Sequence, residues 1–355
     1  MSIFSLRPDP VVGIDISTTA VKLLELNRAG KGYRVESYGI EPLPEKAVED
    51  KNILQVEVVG EAIGRVVKRA GIKVQHAAVA VAGPSVITKV ITMDGGMSDE
   101  DMKQQIESDP VQYLGQEIEE INLDFQVIGP NEKEPDRVDV LLAAVRSETL
   151  EARLTVLEMA GLKARVVDIE KFALENALAM VAKNIPELQE NDTLALIEVG
   201  ATTTSMNVLG NQKIVYTHEE VFGGKQLTEQ IKTQYGLSYE EANLAKREGN
   251  LPEGYENDVL EPFRDEMAQQ ISRMVQYYYA ASSYGELSHI LIAGGCASIP
   301  GILEKVINKV GGAASVVNPF AQMSISPRVG KKALQADAPA LMIACGLALR
   351  TFDEY

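Results

Sequence analysis

VVGIDISTTAVKLLEL, residues 11–26, is the stretch on which the reading of this chain turns. Val11, Val12, Gly13 and Ile14 make an apolar run that reads as a buried strand. The run delivers one acid, Asp15, to a turn of small hydroxyl residues, Ser17, Thr18 and Thr19. From Val21 to Leu26 apolar and polar residues alternate, as a returning strand requires. An acid between a buried strand and a Ser/Thr turn suits a hydrated Mg²⁺, with the turn amides cradling phosphate. The same residues also serve plain turn chemistry, because Asp and Thr side chains stabilise bends on their own.

The chain repeats the pattern. Residues 197–209, IEVGATTTSMNVL, follow a second apolar run at Leu194, Ala195 and Leu196. An offset of 183 residues lays Glu198 on Asp15, Gly200 on Ser17 and Thr202 on Thr19. Both copies enter a polar turn (28–32 and 210–213) and then a further strand-like segment (33–40 and 214–221). That period is too long for a solenoid. It predicts two similar α/β domains, each presenting a phosphate-facing hairpin to a shared cleft.

At 355 residues the chain is long enough for two or more domains. A formal charge of −17 argues against broad nucleic-acid binding and against direct docking on an anionic membrane. The two cysteines, Cys296 and Cys345, sit in apolar surroundings without CxxC spacing and read as buried free thiols. The three histidines are scattered, and GxSxG is absent, so neither a metal cluster nor a serine triad is indicated. The opening MSIFSLRPDP lacks a secretory apolar core. No run reaches the roughly 18 apolar residues of a spanning helix. The chain is therefore expected to be soluble and cytoplasmic, with 339–349, PALMIACGLAL, as a buried helix.

Residues 41–51 read as an acidic loop, 57–70 as a helix, and 77–82 as a buried strand broken by Gly83 and Pro84. Residues 85–162 read as a small α+β insertion of three strands (86–93, 121–128, 138–145) and two helices. The first helix starts at Ser98 and stops near Asp109 and Pro110; the second, 148–160, stops at Gly161. A strand (163–169), a helix (170–183) and an acidic loop (186–192) lead to the second hairpin. Gly223, Gly224 and Lys225 open a helix whose amides favour an anion. Helices follow at 239–248 and 261–279, the latter with Tyr277, Tyr278 and Tyr279 expected in the core. A strand at 288–293 ends in Gly294 and Gly295, which suits either a flat ring lying on backbone or a tight turn. The acids Glu117, Glu119 and Glu120 read as a solvated face.

Five segments stand in a telling order: IDISTTAVK, VVDIEKFALENA, IEVGATTT, ILIAGGCASIPG and PALMIACGLAL. Together they resemble the phosphate-1, connect-1, phosphate-2, adenosine and connect-2 motifs of the actin-like ATPase superfamily. The insertion resembles the 1C (SHS2) subdomain of the cell-division protein FtsA. GIDISTTAVKLLEL, VFGGKQLTEQI, LPEGYENDVLEPF and DAPALMIACGLALR closely resemble the PilM family of type IV pilus assembly. The resemblance implies a duplicated ribonuclease H-like fold with two domains flanking a nucleotide cleft. Domain 1A would comprise 8–84, 163–190 and 339–355; 1C, 85–162; 2A, 191–225 and 286–338; and 2B, 226–285.

The resemblance also implies roles. ATP or ADP with Mg would be the cofactor, with Asp15 holding the metal through water. Ser17, Thr18, Thr19 and Lys22 would line the first phosphate site, and Gly200, Ala201 and Thr202 the second. Gly223, Gly224 and Lys225 would lie near sugar and phosphates, Gly294 and Gly295 under the adenosine, and Lys246 beside the adenine. Several residues depart from the pattern. Glu198 stands where many relatives have Asp, Ser17 replaces a glycine, and Asn243 replaces a glutamate. The extra methylene of Glu198 shifts its carboxylate by about an ångström, enough to disturb a near-attack geometry. The polar residue that orients attacking water should fall near Ile169, where only the neighbours Asp168 and Glu170 are acidic.

Two functions are open at this stage. One is an ATP-binding scaffold whose main partner is the N-terminal cytoplasmic segment of PilN, held in a groove between 1A and 1C. Pilus motor ATPases and the platform protein would be further partners, and the chain would reach the inner membrane only through partners. The other is an active ATPase or small-molecule kinase working in the same cleft, for which no base is assigned. FtsA's C-terminal amphipathic membrane helix has no expected counterpart in RTFDEY.

Overall fold

The computed structural model describes residues 10–115, 120–185, 188–189 and 192–353, so Glu117 and Glu119 lie outside the described residues. β1 (Val11–Ile16), β2 (Ala20–Ala29) and β3 (Gly32–Pro42) form an antiparallel meander. The expected loop at 41–51 is partly ordered instead. β3 runs on to Pro42, and β4 (Val48–Glu49) pairs with β5 (Asn52–Ile53) as a small hairpin. Helix α1 (Val56–Ala70) then crosses back, and β6 (His76–Val81) joins β1 in parallel.

The insertion holds β7 (Val86–Asp94), α2 (Asp99–Ser108), α3 (Pro110–Leu114), β8 (Ile121–Pro130) and β9 (Arg137–Arg146). Its sheet order is β7-β9-β8. A capping box between Ser98 and Asp101 starts α2. Asp109 and Pro110, expected only to stop α2, also start α3: the Asp109 carboxylate accepts from the Gln112 amide, and Pro110 sits in the first turn. Met93, Met102, Ile106, Leu114, Val140 and Leu142 form a small core separate from the others.

Helix α4 (Ser147–Met159) follows β9 directly, yet its Val156 and Leu157 are buried with Val59 and Ile63 of α1 and with Ile14 of β1. The insertion's own core therefore ends with β9. A Cβ on Gly60 would lie 2.9 Å from Met159, which measures how closely α1 and α4 approach. β10 (Lys163–Ile169) pairs in parallel with β6, and α5 (Glu170–Ala182) leads to the second half.

The second half repeats the first. β11 (Thr193–Val199), β12 (Thr204–Gly210) and β13 (Lys213–Glu220) form the meander. Helices α6 (Gly224–Tyr235), α7 (Tyr239–Glu248) and α8 (Glu261–Ala281) lead to β14 (Leu287–Ala293), which is parallel to β11. After α9 (Ile302–Val310), β15 (Ala314–Val316) joins β14. The orders β10-β6-β1-β2-β3 and β15-β14-β11-β12-β13 are the same topology, and β16 (Ser324–Ile325) extends the first sheet beside β3. Of the three α8 tyrosines expected in the core, only Tyr278 is buried; Tyr277 and Tyr279 are about half exposed, because consecutive helical residues face different ways.

The chain closes with α10 (Lys331–Asp337) and α11 (Met342–Leu349). One core joins the inner faces of both sheets through α5 and α11. Small residues allow that fit. A Cβ on Gly13 would meet the Ala344 carbonyl at 2.5 Å, and one on Gly346 would meet the Ala173 carbonyl at 1.8 Å. The two halves thus share a helix pair packed backbone against backbone. Among the described residues no single helix is long and apolar enough to cross a membrane. α10 and α11 reach that length only together, bent by 96°, and α11 is wholly buried.

Candidate functional site

Strand alternation places the acids. Val12 and Ile14 point to the outer core with α1, while Val11 and Gly13 face α11. Asp15, two residues on from Gly13, shares that inner face. In the second half Leu194 and Leu196 line the inner face, so Glu198 shares it. Both acids therefore end an inner row and face the space between the halves.

The register then decides which neighbours they meet. A turn of three residues makes Asp15 and Lys22 direct cross-strand partners, and Lys22 Nζ lies 2.9 Å from Asp15 Oδ2. Asp15 is 3% exposed, so this pair is nearly dry. Burial pulls the Lys22 ammonium down, but Asp15 and Glu198 outweigh it and hold the group above the usual lysine range. Glu198 is held above the usual carboxylate range because burial exceeds the help it draws from Lys22 and Lys51. Charges from both halves thus act on one another at the floor of a common cleft.

Lys51, which no motif singled out, completes the cluster. It sits in the two-residue turn of the β4–β5 hairpin, and its Nζ lies 2.7 Å from Glu170 Oε1. Asp168 goes elsewhere: Arg350 donates to its Oδ2 at 2.7 Å, tying β10 to the terminal helix. Of the two candidates flanking Ile169, only Glu170 joins the cleft cluster.

The turns above this floor are built to offer amides. Ser17 commits both its amide and its hydroxyl to the Ala20 carbonyl, which sets the bend. The Thr18 and Thr19 amides are free of such bonds among the described residues. In the second turn Gly200 donates to Thr203, while the amides of Ala201 and Thr202 are likewise uncommitted. Amides grouped this way at two facing turns fit phosphate oxygens.

Gly223, Gly224 and Gly294 stand where neighbouring atoms leave no room for a side chain. A Cβ on Gly223 would lie 2.5 Å from the Ala201 carbonyl oxygen, and one on Gly294 (φ +84°) 2.3 Å from that of Val199. The Gly224 and Lys225 amides donate to the carbonyls of Gly200 and Ala201, so the first turn of α6 braces the turn that follows β11. Gly295, by contrast, faces open space. Lys246 Nζ reaches Thr228 Oγ1 at 2.6 Å, fastening α7 to α6. Beneath the turn, the buried Cys296 thiol, pushed up to about 11 by burial, points at the Gly200 carbonyl. Across the cleft, Lys225 pairs with Glu45 of the first half at 3.0 Å.

The sequence profile of the family described as Type IV pilus assembly protein PilM matches residues 13–352. The chain belongs to the PilM family. A solved PilM-PilN type IV pilus biogenesis complex contains a chain with the same fold, at a TM-score of 0.77 and 24% identity, covering 98% of this chain and 100% of that one. The ethanolamine utilization protein EutJ of Carboxydothermus hydrogenoformans follows at a TM-score of 0.56 and 17% identity, over 98% of this chain and 91% of that one. EutJ of Salmonella typhimurium is 25% identical over 150 residues, which are 42% of this chain and 46% of the relative, so the match spans about half the relative's length. The fold is actin-like, and this PilM family member is a type IV pilus assembly protein of that fold.

Proposed function

We propose that the cleft binds ATP or ADP with Mg²⁺ and that the chain works as a nucleotide-controlled scaffold in pilus assembly. The observation that carries this reading is that Lys22 feels both Asp15 and Glu198, one acid from each half, beneath two turns with uncommitted amides. Thr18, Thr19, Ala201 and Thr202 would take the phosphates, Lys22 would balance their charge, and Gly295 would lie under the base. Among the described residues no group of three or more His, Cys, Asp or Glu side chains forms a metal cage. Mg²⁺ would therefore come with the phosphates and meet Asp15 through water.

Binding rather than turnover is the favoured role. Asp15 is engaged by Lys22 and Asp168 by Arg350, which leaves neither of these acids free to orient an attacking water. Family membership makes the N-terminal cytoplasmic segment of PilN the proposed partner, held between the first domain and an insertion of the 1C (SHS2) kind. The complex in which a PilM chain is found with PilN supports that choice. Motor ATPases and the platform protein would be secondary partners, and the chain would sit peripherally at the inner membrane from the cytoplasmic side. Calorimetric titration of the full chain with MgATP, then with the PilN peptide with and without MgATP, tests the proposal. One saturable nucleotide site, and a peptide affinity that changes with nucleotide, are expected. Failure of the peptide to bind in both conditions removes the scaffold role; steady ATP turnover lost in Asp15→Ala replaces it with an enzyme.

A further inference from the structure

We propose that Lys51 senses the terminal phosphate of the bound nucleotide and that Arg153 relays its position to the insertion. The inference rests on the nucleotide reading above and deepens it. Its first support is backbone geometry. Asp50 (φ 46°) and Lys51 (φ 66°) form the two-residue turn of the β4–β5 hairpin. Turns with both central residues left-handed favour glycine at the second position, and a lysine there carries a backbone cost. The chain accepts that cost at the position whose side chain reaches Glu170 of the cleft cluster.

The second support is where the ammonium goes. It pairs with Glu170 at 2.7 Å while remaining about one-third exposed, so a ligand in the cleft can reach it. Glu170, Glu198 and Asp15 all act on it; although burial opposes the charge, they hold it above the usual lysine range, fully protonated. A phosphate dianion competes with the Glu170 carboxylate for this cation. Lys22, tied down by a buried Asp15, stays in place for whichever nucleotide is bound. Of these two, Lys51 is therefore the cation able to change partner.

The third support is what the hairpin touches. Arg153 of α4, 3% exposed, donates to the Lys51 carbonyl at 2.6 Å, to the Ala80 carbonyl at 2.7 Å and to the Thr149 carbonyl at 3.2 Å. α4 continues straight from β9, the last strand of the insertion. On the way into the insertion, Gly83 packs so closely that an added Cβ would lie 3.3 Å from both the Asp50 carbonyl and Lys51 Cβ. Both chain connections to the insertion thus bear on the hairpin that carries Lys51. A shift of the hairpin moves a buried guanidinium bonded through all three of its nitrogens rather than a loose loop.

The test compares ATP and ADP titrations of the full-length chain with those of Lys51→Gly, Lys51→Gln and Lys51→Arg, alongside hydrogen exchange of the insertion and α4. Lys51→Gly suits the turn and is expected to fold as well as wild type. It and Lys51→Gln should weaken ATP on the order of tenfold while leaving ADP unchanged, and Lys51→Arg should restore the ATP preference. Arg153→Lys should keep the ATP preference but lose the ATP-dependent protection of α4 and β9. Equal loss of ATP and ADP in the Lys51 variants, or no loss of either, overturns the sensing role. Unchanged ATP-dependent protection in Arg153→Lys overturns the relay. A wild-type chain that binds neither nucleotide overturns the nucleotide reading itself, and this proposal with it.

Discussion

On the inner face of the first half Asp15 looks across the hairpin at Lys22; at the matching rung of the second half Glu198 looks across at Ser205. Strand order, hairpin and inward-facing acid are common to both, but the cation is present once. The first half also brings Lys51 and Glu45 into the cleft. The second brings an acid without a cross-strand cation and a turn braced by α6. Duplication supplied the frame, and single residues then divided the labour: one half supplies fixed positive charge, the other a carboxylate whose charge is held back by burial.

Removing the cation tests that division most severely. Lys22→Met makes the first half resemble the second and leaves Asp15 buried and unpaired, so a loss of about 3–5 kcal/mol in chemical denaturation is expected. Loss of nucleotide binding with stability intact would instead make Lys22 a ligand only.

Supplying the missing cation sharpens the comparison from the other side. Glu198 in the folded chain holds its proton above the range where the unfolded chain releases one, near about pH 4.3. Stability from this group is therefore greatest at low pH and falls as pH rises from there through the raised folded value. Ser205→Lys should bring the Glu198 carboxyl down, flatten this slope in pH-dependent denaturation and add about 1–2 kcal/mol near neutrality. Glu198→Gln should flatten the slope as well. A slope equal to wild type in both variants would place the titration elsewhere.

The smallest effect belongs to the bridge between the halves. Glu45 and Lys225 are each about 40% exposed, so Glu45→Gln should cost under about 1 kcal/mol and that cost should shrink in high salt. The same change should quicken nucleotide entry in stopped-flow mixing if the pair spans the cleft mouth.

The sequence made the duplication legible because both copies keep the same spacing from apolar strand to acid to hydroxyl turn. Lys22 follows Asp15 by seven positions, a spacing that already implies a cross-strand pair once the turn is short. Other features stayed hidden for identifiable reasons. Lys51 lies in a left-handed turn without glycine, so the β4–β5 hairpin had no turn signature. Arg153 acts on backbone carbonyls, one of them 102 residues away, and no side-chain pattern records such partners. Asp168 was drawn toward the cleft by its place in a motif, whereas its partner Arg350 is 182 residues distant. α4 follows the insertion in sequence but packs on α1, and its position depends on which apolar face found the larger core.

The facing turns can be tested outright by solving the structure of the chain with MgADP. The account predicts one nucleotide whose phosphate oxygens accept hydrogen bonds from the Thr18–Thr19 turn and from the Ala201–Thr202 turn together, with Lys22 alongside. A nucleotide bound to one turn alone, or bound outside the space between Asp15 and Glu198, would contradict it.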